Sequence, residues 1–160
     1  MRAVLQRVSR ASVSIEGNEK AAIDNGLLVL LAAGQEDTEK DVAWMADKII
    51  GLRVFEDQQG KMNLSVKDVR GEMIAVSQFT LYGDCRKGRR PSFVRAMEPK
   101  RAALLCEMFT KHVKQAGVPC CTGEFGAHME VSLVNDGPVT LLVDSAVSRR
   151  SKKGGFDDQG

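Results

Sequence analysis

Apolar and polar side chains alternate through Ala11-Ser-Val-Ser-Ile15, which predicts a strand with one face in water. Asp24-Asn-Gly26 then reads as a turn. It leads into Gly26-Leu-Leu-Val-Leu-Leu-Ala-Ala33, an unbroken apolar run that predicts a buried central strand. Thr38 stands at a helix N-cap position, with Asp41 placed to complete a capping box. Val42, Met45, Ala46, Ile49 and Ile50 share one stripe of that helix, and Gly51 ends it. Leu52 to Glu56 and Met73 to Val76 predict further strands, separated by a turn over 57–60 and a looser segment. A second helix starts at Pro99, which suits the first helical position, and stops at Gly117. Its buried stripe carries Leu105, Met108, Phe109, His112 and Ala116. Two short strands, Val131 to Val134 and Val139 to Val143, close the pattern, joined by Asn135-Asp-Gly-Pro138. The fold class is α+β: a mixed, mainly antiparallel sheet packed on two main helices.

Length and composition narrow this without changing it. A chain of 160 residues with 43% apolar content fills one core. Residues 1–147 are expected to form a single domain. Residues 148–160, rich in charge and glycine, read as a flexible tail. The apolar runs fall short of the ~20 residues that span a bilayer, and no signal region is recognisable, so a soluble, cytoplasmic protein is expected, with no membrane partner. Cys85, Cys106, Cys120 and Cys121 lack the Cys-x-x-Cys spacing of zinc or redox sites, and Cys120 and Cys121 would face opposite sides of a strand. The expectation is no metal and no cofactor. Net charge is only +2. Its distribution says more: Arg86, Lys87, Arg89 and Arg90 crowd one loop, and Arg149, Arg150, Lys152 and Lys153 crowd the tail, although such clusters are usually solvated surface.

The usual hydrolase machinery is scarce. His112 lies on an apolar helical stripe, where a satisfied packing role fits better than general-base work. His128 enters a strand, as a surface or structural residue. There is no Gly-x-Ser-x-Gly elbow, no His-Glu-x-x-His and no Gly-rich phosphate loop, which disfavours serine and metallo-hydrolases. Two segments combine unusual residues. Ser77-Gln-Phe-Thr-Leu-Tyr-Gly83 follows an apolar strand and runs into the basic loop, a reasonable place for a ligand; a strand edge with hydroxyls in water is the competing reading. Asn135-Asp-Gly-Pro-Val-Thr140 holds a Gly-Pro bond whose cis form lies only ~0.5–1 kcal/mol above trans; an ordinary trans turn competes there.

Taken together, the segments resemble the D-aminoacyl-tRNA deacylase family. The likeness runs from Met1-Arg-Ala-Val-Leu-Gln-Arg-Val8 through Gly60-Lys-Met-Asn63, Ser77 to Gly83, Lys87-Gly-Arg-Arg-Pro-Ser-Phe93 and Thr122-Gly-Glu-Phe-Gly-Ala127 to Asn135-Asp-Gly-Pro-Val-Thr140. Ala32-Ala-Gly34 departs from the Gly-Val pair of many relatives. The resemblance implies the family's barrel-like fold and a homodimer in which a cis Gly137–Pro138 peptide enters the partner's active site and excludes L-side chains. It implies ester hydrolysis of D-aminoacyl-tRNA, and of glycine mischarged on alanine tRNA, without a protein nucleophile. Gln78, Phe79 and Thr80 are the expected catalytic segment. Main-chain N–H groups around Gln78 and Phe79 are candidate oxyanion donors, the 2′-hydroxyl of the terminal adenosine assists, and Thr80 is the fallback nucleophile. Ser77, Met129, Asn135, Val139 and Thr140 are expected to bind substrate. Arg7, Arg86, Lys87, Arg89 and Arg90 are expected to hold the acceptor-stem phosphates of tRNA.

Two rivals stand beside this reading. A sister branch of the fold removes L-alanine through a trans Gly-Pro and a more open pocket; it carries alanine where Phe79 stands here. A nucleic-acid-binding module with the same fold and no catalytic duty is the other.

Overall fold

The computed structural model describes residues 1–147. Among the described residues the elements follow in order: β1 (Arg2–Ile15), β2 (Asn18–Ile23), β3 (Gly26–Ala32), α1 (Glu39–Gly51), β4 (Phe55–Glu56), β5 (Met62–Leu64), β6 (Glu72–Ser77), α2 (Pro99–Gln115), β7 (Cys120–Thr122) and β8 (Glu130–Asp144), with a 3₁₀ turn at Phe79–Tyr82 between β6 and α2. Among the described residues no helix is long and apolar enough to cross a membrane.

β1 organises the sheet because its two edges serve three partners. One edge pairs antiparallel with β8 from Arg2↔Asp144 to Ser14↔Glu130. The other pairs with β3 in its first half, Arg2↔Ala32 to Val8↔Gly26, and with β2 in its second, Ala11↔Ile23 to Ile15↔Asn18. β3, β6 and β7 then run parallel, continuing the sheet to β7. β3 is buried on both faces, as its continuous Leu-Leu-Val-Leu-Leu run requires. The sheet is barrel-like and nearly closed, the α+β architecture expected from the pattern.

Both helices pack on one face of the sheet. Asp41 supports the start of α1: its carboxylate accepts from the Thr38 N–H at 2.9 Å and hydroxyl at 3.1 Å. Val42, Met45, Ala46 and Ile49 are buried on the expected stripe. On α2 the buried stripe is Ala102, Leu105, Phe109 and Val113. Met108 and His112 sit at its margin, and the His112 ring lies 2.8 Å from Asp47 Oδ1 of α1.

The structure corrects the element boundaries in five places, one of them β2, a strand that the pattern did not mark. The first strand begins at Arg2, because pairing to both β3 and β8 extends it beyond its alternating segment. Leu52 to Glu56 yields only the two-residue β4, paired with β5 inside what read as loose chain. The short β7 is a further parallel strand that the pattern did not mark. Finally, Val131 to Val134 and Val139 to Val143 are not two strands joined by a reversing turn. They are one strand, β8, paired antiparallel with β1 on both sides of an interruption, and the ladder passes from Val8↔Asn135 to Gln6↔Thr140 while residues 136–139 are extruded as a bulge.

Candidate active site

The end of β6 shapes the site. Its parallel pairing with β3 runs to Leu31↔Ser77, and the Gln78 N–H extends it by donating to Leu31 O at 2.8 Å. The chain then turns into the Phe79–Tyr82 3₁₀ helix. The first N–H groups of any helix lack intrahelical acceptors. Leu81 N–H finds Gln78 O at 3.2 Å, whereas the N–H groups of Phe79 and Thr80 donate no hydrogen bond among the described residues. This corrects the candidate oxyanion pair: the Gln78 N–H is committed to the sheet, and the available donors are Phe79 and Thr80. The Gln78 side chain instead donates to the Thr80 hydroxyl.

The turn is pinned from behind. Tyr82 is buried and its hydroxyl donates to Asp37 Oδ2 at 3.0 Å, while Arg2 lies 4.7 Å over its ring and donates to Leu81 O at 3.1 Å. Burial, with the Asp37 carboxylate second, raises the Tyr82 pKa, so the hydroxyl stays a donor. Asp37 also accepts from the Gly34 N–H at 2.6 Å and lies 2.6 Å from the Met1 amino group. Gly34 fits because a Cβ there would sit 2.7 Å from the Tyr82 ring.

In front of the turn lies a cavity of about 440 Å³. Ser77, Gln78 and Phe79 form one wall and Met129 another, so the structure brings these four expected residues together. Much of the rest escaped sequence reasoning: Ala102 and Cys106 of α2, and Phe125, Ala127 and His128 of the loop before β8. The available signal was Thr122-Gly-Glu-Phe-Gly-Ala127, a glycine-flanked aromatic at a strand end to which no role was given. His128 precedes β8 and lies on the cavity wall, rather than within a strand. The Cys106 thiol is pushed up to about 11 by burial, so it is protonated at neutral pH and no nucleophile.

Thr80, Asn135, Gly137, Pro138, Val139 and Thr140 do not line this cavity. The last five belong to the β8 bulge and the two ladder residues that flank it, Asn135 and Thr140. Asn135 closes the bulge: its Nδ2 donates to Val139 O at 3.0 Å and Gln6 Oε1 at 3.0 Å, and its Oδ1 accepts from Val139 N at 2.8 Å. Gly137 and Pro138 form the exposed tip, joined by a cis peptide. Gly137 has φ +147°, and a Cβ there would meet Val139 N at 2.8 Å.

Arg7 corrects the expectation of a tRNA contact. It is 5% exposed. Its Nη1 donates to Val54 O at 2.7 Å and its Nε to Asp136 O at 2.8 Å, with Glu56 and Asp136 carboxylates at 3.6 and 3.7 Å. Its guanidinium therefore holds the bulge from beneath and is closed to a phosphate. The basic loop is closed by Asp84 and Ser92, which exchange main-chain hydrogen bonds of 2.8 and 3.0 Å. Arg86 is ion-paired with Asp84, whose carboxyl it holds well below the usual range. Lys87, Arg89 and Arg90 are exposed at the loop's tip. Residues Arg149, Arg150, Lys152 and Lys153, with the rest of the expected tail, lie outside the described residues.

A family model described as D-Tyr-tRNA(Tyr) deacylase matches residues 4–144. The chain is 57% identical over 146 residues to a D-aminoacyl-tRNA deacylase of Thermotoga petrophila, covering 91% of this chain and 98% of that one. It is 60% identical over 145 residues to a D-aminoacyl-tRNA deacylase of Desulfatibacillum aliphaticivorans, covering 91% and 99%. The solved structure of a protein named c-Myc DNA Unwinding Element Binding Protein superposes with a TM-score of 0.86 at 43% identity, over 91% of this chain and 99% of that chain. A second, described as a probable eukaryotic D-amino acid tRNA deacylase, shares the fold at a TM-score of 0.77 and 16% identity, over 89% and 97%.

Proposed function

The chain belongs to the D-Tyr-tRNA(Tyr) deacylase family, and from that premise we propose that it cleaves D-aminoacyl-tRNA stereoselectively, with a second copy of the chain completing each active site. It is a hydrolase of aminoacyl-tRNA. Residues 1–147 act as one deacylase domain, working in the cytoplasm as a homodimer.

Hydrolysis of this ester adds water to the carbonyl carbon, breaks the bond to the ribose oxygen, and releases the free amino acid and tRNA. Aminoacyl esters are activated, so orientation and oxyanion stabilisation supply what the reaction needs. The carbonyl oxygen points at the N–H groups of Phe79 and Thr80, and the 2′-hydroxyl of the terminal adenosine assists the attacking water. Ser77 and Met129 bound the aminoacyl group. With the α-amino and carbonyl groups fixed, L and D isomers exchange the directions of hydrogen and side chain. The main-chain oxygens of Gly137 and Pro138, brought by the partner, fill the space an L-side chain needs, and Asn135, Val139 and Thr140 hold that bulge in shape. Glycine has no side chain to exclude, so glycine mischarged on alanine tRNA is also a substrate. Lys87, Arg89 and Arg90 contact the acceptor stem.

The observation that carries this reading is the division of parts within one chain. Phe79, whose N–H is unpartnered, lines an open cavity, with the unpartnered N–H of Thr80 next in the chain, while the bulge carrying Gly137 and Pro138 lies elsewhere on the surface. The decisive experiment offers the purified protein D-tyrosyl-tRNA and L-tyrosyl-tRNA. Rapid release from the D-ester with the L-ester at its spontaneous rate is expected; equal rates, or none, would overturn the assignment. Binding without release would favour a nucleic-acid-binding role, the property that the 43% identical protein is named for. Preferential release of L-alanine would favour the sister activity.

A further inference from the structure

The candidate active-site cavity does not end at Cys106. A second cavity of about 660 Å³ continues from it, sharing Leu31, Val76, Ser77, Cys106 and Phe125. The two form one groove along α2. Successive α2 positions at helical spacing face it, from Pro99 and Ala102 through Cys106 and Thr110 to Lys111 and Lys114. At 1.5 Å per residue the groove follows the helix for about 22 Å, far longer than one aminoacyl group requires.

Chemistry changes along its length. The active-site end is lined by small and apolar side chains. The far end carries Lys111 and Lys114, one helical turn apart, both exposed and neither in a salt bridge among the described residues. Their two positive charges outweigh Glu107 and the roughly half negative charge of the helix C-terminus. At the opposite end the Glu98 carboxylate caps the helix, accepting from the N–H groups of Lys100 and Arg101 at 3.1 and 2.7 Å. The end at Lys111 and Lys114 therefore offers a polyanion two exposed cations that line the groove itself.

We propose that this groove seats the single-stranded 3′ CCA end of the substrate tRNA, with Lys111 and Lys114 contacting the phosphates that precede the terminal adenosine. The inference deepens the deacylase reading and rests on it for the identity of the strand. The basic loop over 84–92 lines neither cavity, which leaves it for the duplex stem and assigns the unpaired tail to α2.

The test reads binding rather than hydrolysis, so the two proposals fail separately. Fluorescence anisotropy would compare an uncharged acceptor-stem minihelix ending in CCA with the same minihelix lacking those three nucleotides. The unsubstituted protein is expected to bind the tailed form roughly tenfold more tightly at low salt. In the double variant Lys111→Gln/Lys114→Gln that increment disappears, and the salt slope of log affinity falls by about 1.4, or ~0.7 for each phosphate no longer neutralised. Lys111→Arg/Lys114→Arg retains the increment, and circular dichroism checks that all forms are folded. A tail-dependent increment that survives in the glutamine variant, or its absence from the unsubstituted protein, overturns the inference. Lysine-dependent tail binding by a protein that spares the D-ester would support the groove and refute the deacylase reading.

Discussion

Phe79 and Thr80 are the first two residues of a 3₁₀ turn, and that position gives them spare main-chain donors whatever their side chains do. The Thr80 hydroxyl accepts from the Gln78 amide and has no histidine, lysine or carboxylate bonded to it among the described residues. A threonine nucleophile needs such a base. Thr80→Ala and His128→Asn are each expected to keep single-turnover D-ester hydrolysis within about threefold of the unsubstituted rate, whereas loss of a true nucleophile or base costs ~10² or more. A drop of that size in a folded variant would restore a side-chain mechanism. Arg7 shows the converse case, a charge used for architecture. Arg7→Met would leave the carbonyls of Val54 and Asp136 without their donor. Urea unfolding should show a loss of about 2–3 kcal/mol, and discrimination against the L-ester should weaken as the bulge loosens. Unchanged stability would remove Arg7 from that role.

At the scale of elements, a half-buried thiol on α2, Cys106, and a buried one on β7, Cys120, report how tightly these elements close on the sheet. Burial pushes Cys106 up to about 11; burial, then Cys121, pushes Cys120 up to about 12. Above roughly pH 8.5 the unfolded chain gives up these protons while the folded chain keeps them, so the unfolded state is favoured increasingly as pH rises to about 11–12. Stability measured by urea titration should therefore fall from pH 9 to 11, and a variant with alanine at both positions should fall less steeply. At pH 8 a thiol reagent should label exposed Cys85 first and half-buried Cys106 more slowly, with Cys120 reacting only on unfolding. Simultaneous labelling would mean that α2 stands away from the sheet.

The elements also show what was legible in the sequence. β3, both helices and the capping box at Thr38 could be read because local pattern and final environment agree there. β4, β5 and β7 could not, because strands of two or three residues carry no period and exist only through their partners. The extruded bulge in β8 looked like a reversing turn, since Asn-Asp-Gly-Pro suits both and only the ladder to β1 separates them. Ser77, Gln78, Phe79 and Met129, expected at the site, line one cavity. The wall from α2 was missed because Ala102 and Cys106 read simply as core residues. Arg7 was misplaced because sequence does not show which cations the fold buries.

For the whole molecule, the question is what covers β8 and its bulge. Leu142 is 69% exposed and Val134 41%, and Pro138 stands out nearby, an apolar edge that suits a second copy. In a twofold dimer the same surface is used by both subunits, so each bulge would reach across to the other's cavity. The most direct test is a mixed dimer purified by two different tags. One subunit carries Ala127→Trp, which fills its cavity, and the other lacks Gly137 and Pro138 but keeps its cavity open. If the selecting wall is supplied in trans, the one open cavity faces the intact bulge. The mixed dimer should then cleave D-tyrosyl-tRNA at about half the unsubstituted rate and leave L-tyrosyl-tRNA intact. Cleavage of the L-ester by that dimer, at the rate of the open cavity alone, would contradict the account.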